Sequence, residues 1–174
     1  MPGKGEIRIT GNLRSVMKES AAAAVSYVRS HATSLRVDPE WLKNTDLHLH
    51  VPRGGRAGDA ASAGVTMFVA VVSLLLGVAV RSEVAVVGEI TLRGSVLPVG
   101  GVKAKILAAH RAGITEVVLP ARNACDLEEV PEEVREEMQI HLVRRVGEVL
   151  PLVLTAERPS RTEPSVAPPH EVRP

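Results

Sequence analysis

Apolar positions recur at helical spacing through Leu13, Val16, Met17, Ala21, Ala24, Val25 and Val28, which predicts an amphipathic helix opened by Asn12 or Ser15. Ahead of it, Ile7 to Thr10 reads as a short strand. From Asp46 to Val51 the period changes to two, so that Leu47, Leu49 and Val51 fall on one face and His48 and His50 on the other, the pattern of a half-buried strand. A Gly- and Ala-rich loop from Pro52 to Ala61 then leads through Ser62 into an apolar run from Val65 to Val80. That run approaches the length of a membrane span. It contains Thr66, Ser73 and Gly77, no basic cluster flanks its start and a polar loop feeds it, so it reads as a buried central helix.

Further along, Val84 to Val87 reads as a buried strand, and Glu89 to Arg93, Gly94 and Ser95 to Val99 as a strand, turn and strand. Gly100-Gly101 breaks the chain before a helix from Val102 to Arg111 that Gly113 closes. A strand at Glu116 to Leu119, a short acidic helix near Asp126 to Glu137, a strand at Gln139 to Val143 and a last helix from Val146 to about Thr155 follow. The order is mixed α/β. From Glu157 onward the residues include Pro159, Pro164, Pro168, Pro169 and Pro174 without periodic apolar positions, so 157–174 is expected to be a disordered tail.

Composition sharpens this picture. An apolar share of 45% with 24% charged residues and a net charge of +1 predicts a folded unit rather than a disordered chain, and 174 residues suit one domain. Aromatic residues are 2% of the chain (Tyr27, Trp41 and Phe68), so Val, Leu, Ile and Ala must build the core. Few aromatics and a near-neutral charge argue against nucleic-acid binding. The single cysteine, Cys125, has no intrachain partner, and the first ten residues lack a secretory pattern, so a cytoplasmic protein is expected. No G-x-x-x-x-G-K-[ST] or G-x-G-x-x-G motif occurs, so no nucleotide cofactor site is expected in this chain.

Ser62 stands where a small-residue loop meets the first turn of an apolar helix, a place where unpaired N–H groups and the positive helix end stabilise an oxyanion. N-capping is the commoner reason for a serine there. A nucleophilic serine needs a base, and His31, His48, His50, His110 and His141 are candidates, none of them in a decisive setting. His48 and His50 have the i, i+2 spacing of a metal pair, but no Cys or HExxH element completes a metal site. Lysine is the other option, because a lysine serves as a base once desolvation brings its pKa from about 10.4 toward about 7–8. On the helix after Gly101, Lys103 shares an arc with His110, whereas Lys105 is the one charge among Val102, Ala108 and Ala109. Such a lysine either snorkels to water or stays partly buried.

Taken together, Asp59-Ala-Ala-Ser62-Ala-Gly64, Gly88-Glu-Ile-Thr-Leu-Arg-Gly94, Leu97-Pro-Val-Gly-Gly-Val-Lys-Ala-Lys105 and Ile106-Leu-Ala-Ala-His-Arg-Ala-Gly113 closely resemble the proteolytic domain of the ATP-dependent Lon proteases. Met17-Lys-Glu-Ser20, His48-Leu-His-Val-Pro52 and Asp126-Leu-Glu-Glu-Val-Pro131 extend the resemblance, which runs to about Leu154. It implies an α/β (α+β) Lon proteolytic-domain fold over 1–156, with mixed sheets packed with helices, ribosomal protein S5 domain 2-like. It also implies a serine endopeptidase in which Ser62 is the nucleophile and Lys105 the general base, with backbone N–H groups around Ala60 to Ser62 as the oxyanion hole. Unfolded proteins or peptides as substrates, a hexameric ring and a separate AAA+ ATPase partner follow from the same resemblance, with no metal, nucleic acid or membrane. The alternative is a catalytically impaired Lon-fold assembly or interaction module.

Three departures bear on that choice. The Pro-Lys-Asp-Gly-Pro-Ser-Ala-Gly block of the bacterial ring proteases stands here as Ala57-Gly-Asp-Ala-Ala-Ser-Ala-Gly64, which loses stiffening residues and a lysine but keeps Asp59 as a candidate gate. Val87 stands where those proteases place a threonine that hydrogen-bonds the catalytic lysine, so Lys105 is expected to lack an orienting partner, while Glu89 is expected to be structural or a neighbour of the site. The family's leading strands are expected to be missing ahead of the matched segment, which predicts exposed sheet edges, and without a phosphate-loop motif any unfolding motor is expected to be separate or lost.

Overall fold

The computed structural model describes residues 3–11, 15–51 and 61–155. The expected cap Asn12, most of the loop carrying Asp59 and Ala60, and the tail 157–174 lie outside them. Strand β1 (Ile7–Gly11) is followed by helix α1 (Ser15–Ser30), helix α2 (Pro39–Asn44) and strand β2 (Leu47–Val51). β2 returns parallel to β1 with Ile7 opposite Leu47. The start of that pair is held by Asp46, whose carboxylate accepts the N–H groups of Lys4 at 2.8 Å and Glu6 at 2.9 Å. Those backbone donors, Glu6 first, hold the Asp46 carboxyl below the usual aspartate range.

A 3₁₀ turn (Ala61–Ala63) opens helix α3 (Gly64–Leu76), which packs along α1. Its inward positions include Val65, Phe68, Val69 and Val72, all nearly fully buried, against Ala21, Ala24, Val25 and Val28 of α1. Phe68, the largest fully buried side chain, meets Tyr27 edge-on at 5.6 Å between centroids. Burial of one such ring contributes about 2–3 kcal/mol. α3 ends at Gly77, not at Val80 as the apolar run suggests, because Gly77 takes a left-handed conformation (φ 63) and caps the Leu74 and Ser73 carbonyls. Among the described residues no helix is long and apolar enough to cross a membrane.

Strands β3 (Val84–Val86), β6 (Glu116–Pro120) and β7 (Gln139–Val143) form a parallel sheet in the order β3-β6-β7, and β4 (Glu89–Ile90) pairs antiparallel with β5 (Val96–Leu97). Helix α4 (Val102–Arg111) covers the three-stranded sheet through a second apolar cluster of Val102, Ile106, Val117, Leu119, Val130 and Met138. The acidic helix expected over Asp126 to Glu137 is instead a 3₁₀ stretch (Ala121–Glu129) and a separate helix α5 (Glu132–Glu137). Pro131 forces this split: a residue before proline avoids the helical region, and Val130 is extended at φ −79, ψ 134. Helix α6 (Val146–Val153) closes the described chain against α3.

A polar clamp ties the loop after α3 to this sheet. Glu116 accepts from both terminal guanidinium nitrogens of Arg81, Nη1 and Nη2, and lies 3.0 Å from His141 Nε2, while Arg81 Nη1 also donates to the Leu152 carbonyl at 3.0 Å. Arg81 first, then His141, holds the Glu116 carboxyl below the usual glutamate range. A folded-state pKa depressed in this way stabilises the fold above the ordinary glutamate value and is lost as pH falls through the folded-state value. Denaturant midpoints measured between about pH 6 and pH 3 should therefore fall more steeply for the parent chain than for Glu116→Gln. Parallel curves would show that the clamp contributes nothing pH-dependent.

Candidate active site

The 3₁₀ turn places Ser62 one residue ahead of the α3 cap. The cap position is Ala63, with no side-chain cap bond, so Ser62 is not spent on N-capping. Two backbone bonds hold this turn to the chain between β3 and β4: Gly88 N donates to Ser62 O at 2.9 Å and Val65 N to Gly88 O at 3.0 Å. Thr66 Oγ1 adds a bond to Val86 O at 2.8 Å. Such close approach depends on glycine. A Cβ on Gly64 would lie 2.9 Å from Ile90 Cγ2 and 3.0 Å from Ile90 N.

That crowding makes a prediction with competing signs. Gly→Ala inside a helix gains about 1 kcal/mol in propensity, whereas overpacking a site with backbone on one side costs about 1–3 kcal/mol. Gly64→Ala should therefore lower stability by up to about 2 kcal/mol in chemical denaturation, because the Ile90 backbone cannot rotate away as a side-chain end can. A rise in stability would show instead that α3 lifts freely from β4.

Gly101, the N-cap of α4, has φ 67, a left-handed conformation in which a Cβ is strained, and from it the helix carries Lys105 back over the turn it starts from. Lys105 is half-buried beside the inward-facing Val102 and Ile106, and its Nζ donates to the Gly100 carbonyl at 2.6 Å. Lys103, the other lysine, is exposed.

Ser62 and Lys105 line one open cleft of about 250 Å³, together with Ala61, Glu89, Pro98, Val99 and Gly100. The two side chains are not hydrogen-bonded to each other among the described residues, and the partner that orients Lys105 is the Gly100 carbonyl. Val87 offers Lys105 no side-chain partner: it packs in the apolar cluster of Val102 and Ile106 and donates its N–H to Val118 O at 3.0 Å. Glu89 is a neighbour of the site, on β4 opposite Leu97.

None of the candidate histidines lines this cleft. His48 Nε2 and His50 Nδ1 both meet Thr10 Oγ1, at 2.7 and 2.9 Å, on the outer face of the β1–β2 pair. His31 stacks on Tyr27, His110 pairs with Glu137 at 2.6 Å, and His141 belongs to the Glu116 clamp. Among the described residues no group of three or more His, Cys, Asp or Glu is placed to hold a metal ion.

One residue beside the cleft was not singled out from sequence. Asn123 is buried, accepts from Val99 N at 3.0 Å, donates to Val99 O at 2.9 Å, and also donates to the Asp126 carboxylate. The signal was an Asn and an Asp three residues apart, directly after a buried strand.

The sequence of residues 1–156 matches the Lon protease (S16) C-terminal proteolytic domain. The chain is 58% identical to Lon protease 2 of Sorangium cellulosum over 172 residues, 99% of this chain and 21% of that protein. It is 53% identical to a Lon protease of Anaeromyxobacter dehalogenans, over 97% of this chain and 20% of the relative. Lon protease 1 of Thermus thermophilus is 50% identical, over 95% of this chain and 22% of that protein. The chain thus spans about a fifth of the length of these relatives.

Proposed function

The chain belongs to the Lon C-terminal proteolytic domain family, a family of serine peptidases, and on that premise we propose that it hydrolyses peptide bonds with Ser62 as nucleophile and Lys105 as general base. The observation that carries this reading is the shared cleft. A serine freed from capping duty, in the turn before α3, and a half-buried lysine on α4 open onto the same space.

The chemistry follows from those positions. Ser62 Oγ attacks the substrate carbonyl carbon and its proton passes to the neutral Lys105 amine, which delivers it to the departing amine nitrogen as the C–N bond breaks. Water then attacks the acyl-serine ester by the same route in reverse. A neutral lysine has two N–H bonds and one lone pair, so donation of one N–H to Gly100 O restricts rotation of the amine and helps to direct the lone pair. The developing oxyanion takes its stabilisation from the backbone N–H groups of the turn that carries Ala61 and Ser62 and from the positive end of α3.

Unfolded or extended protein segments as substrates, delivery by an ATP-dependent unfolding motor outside this chain, assembly into a hexameric ring and a cytoplasmic setting belong to the same proposal. A serine-reactive phosphonate tests its core. Labelling is expected at Ser62 in the parent chain and should be lost, or slowed at least about 10²-fold, in Lys105→Ala, as expected when a general base is removed. No labelling of the parent, or equal labelling of both, would favour the non-catalytic assembly module instead.

A further inference from the structure

We propose that Asn123 is a positioning residue for this reaction: it fixes the Val99–Gly100 backbone whose carbonyl orients the Lys105 amine, an inference that rests on the Ser62–Lys105 reading above. Lys105 Nζ is anchored on a backbone oxygen of the loop that forms one wall of the cleft. The lone pair is therefore only as well aimed as that loop is fixed. Gly100 has no side chain to pin it, and Gly101 follows in a left-handed conformation. The restraint comes from the preceding residue.

Val99 is held at both ends of its own backbone by one amide side chain. Its N–H donates to Asn123 Oδ1 at 3.0 Å and its C=O accepts from Asn123 Nδ2 at 2.9 Å. This pairing needs a group that accepts and donates side by side, which only a carboxamide or a protonated carboxyl supplies in this geometry. It also settles which end of the amide is oxygen, because the reversed amide would put donor against donor. Asn123 is 3% exposed, its second Nδ2 proton goes to Asp126, and the Val99 side chain packs in the apolar cluster beneath α4. With its N–H and C=O both turned toward Asn123, Val99 hands the chain on to Gly100 in a set direction. The Gly100 carbonyl then meets Lys105 rather than solvent.

A purely structural asparagine would affect stability alone, whereas a positioning residue alters turnover in protein that remains folded. The test is peptide hydrolysis by the full chain, with melting followed in parallel. The parent is compared with Asn123→Ala, Asn123→Asp and Lys105→Arg, and Ser62→Ala serves as the blank. For Asn123→Ala, kcat should fall about 10- to 100-fold at a temperature where the variant is folded, with KM within about two-fold, the scale expected of a misplaced catalytic group. Asn123→Asp should be as impaired at about pH 9, where an ionised carboxyl cannot donate to Val99 O and faces Asp126. It should recover relative to the parent at the same pH as the pH is lowered toward about 6, because the protonated carboxyl regains the paired geometry.

Folded Asn123→Ala with kcat within two-fold of the parent overturns the proposal. If Asn123→Ala does not fold, Asn123→Asp decides: recovery at low pH supports the role, and a pH-independent deficit overturns it. A parent that cleaves no peptide, or a Ser62→Ala variant as active as the parent, overturns the Ser–Lys reading and this inference together. Loss of activity in Lys105→Arg with wild-type turnover in the Asn123 variants overturns this inference alone.

Discussion

Ser62→Ala should abolish peptide hydrolysis, with kcat reduced by about 10³-fold or more, and leave stability within about 0.5 kcal/mol of the parent. The loss is large because, among the described residues, no other hydroxyl lines the cleft, whose remaining walls come from Ala61, Glu89, Pro98, Val99, Gly100 and Lys105. The fold should be indifferent because the Ser62 turn is held by backbone, through its carbonyl to Gly88 N, and because Ser62 does not occupy the cap position of α3, which is Ala63. Hydrolysis of an unstructured peptide, followed against thermal melting of the same preparations, measures both halves. Residual activity above about a tenth of the parent would mean that the nucleophile is elsewhere.

Lys105→Arg is the second large effect, and it separates charge from proton transfer. Arginine keeps a cation and a donor for the Gly100 carbonyl, but it does not deprotonate in proteins and offers no basic lone pair. If Lys105 is the base, Lys105→Arg should lose about 10²–10⁴-fold in kcat, as Lys105→Met should, since general-base catalysis is of that size. If Lys105 only holds the Gly100 loop, Lys105→Arg should stay near the parent while Lys105→Met loses the anchor. The two substitutions measured side by side thus assign the role without reference to any other residue.

Several elements were legible because they are local. α4 begins and ends where Gly101 and Gly113 punctuate the chain, and β7 spans the Gln139 to Val143 run. The fold departs from the pattern where one residue's backbone requirement outweighs hydrophobic periodicity: Gly77 stops α3 inside an apolar run, and Pro131 divides the acidic segment. Helix α2 went unread although its signal was present, for Asp38 caps the Glu40 N–H at 2.9 Å and Pro39 opens the first turn. Its six residues are too few for a periodic pattern to emerge.

For the site, the residues alone left the serine's capping role and the choice among five histidines and two lysines open, and the family resemblance singled out Ser62 and Lys105. By itself the sequence determined the mixed α/β class, the helix behind Ser62, the glycine turn ahead of Lys105 and the family. These depend on spacing and on the φ angles that single residues allow, which a string of residues carries directly. Only the tertiary structure decided that Ser62 and Lys105 share a cleft, that the lysine leans on Gly100, and that Asn123 holds that loop from 24 positions away. Hydrogen bonds between a side chain and a distant backbone have no period and no required residue at the receiving end, so they become visible only once the chain has folded.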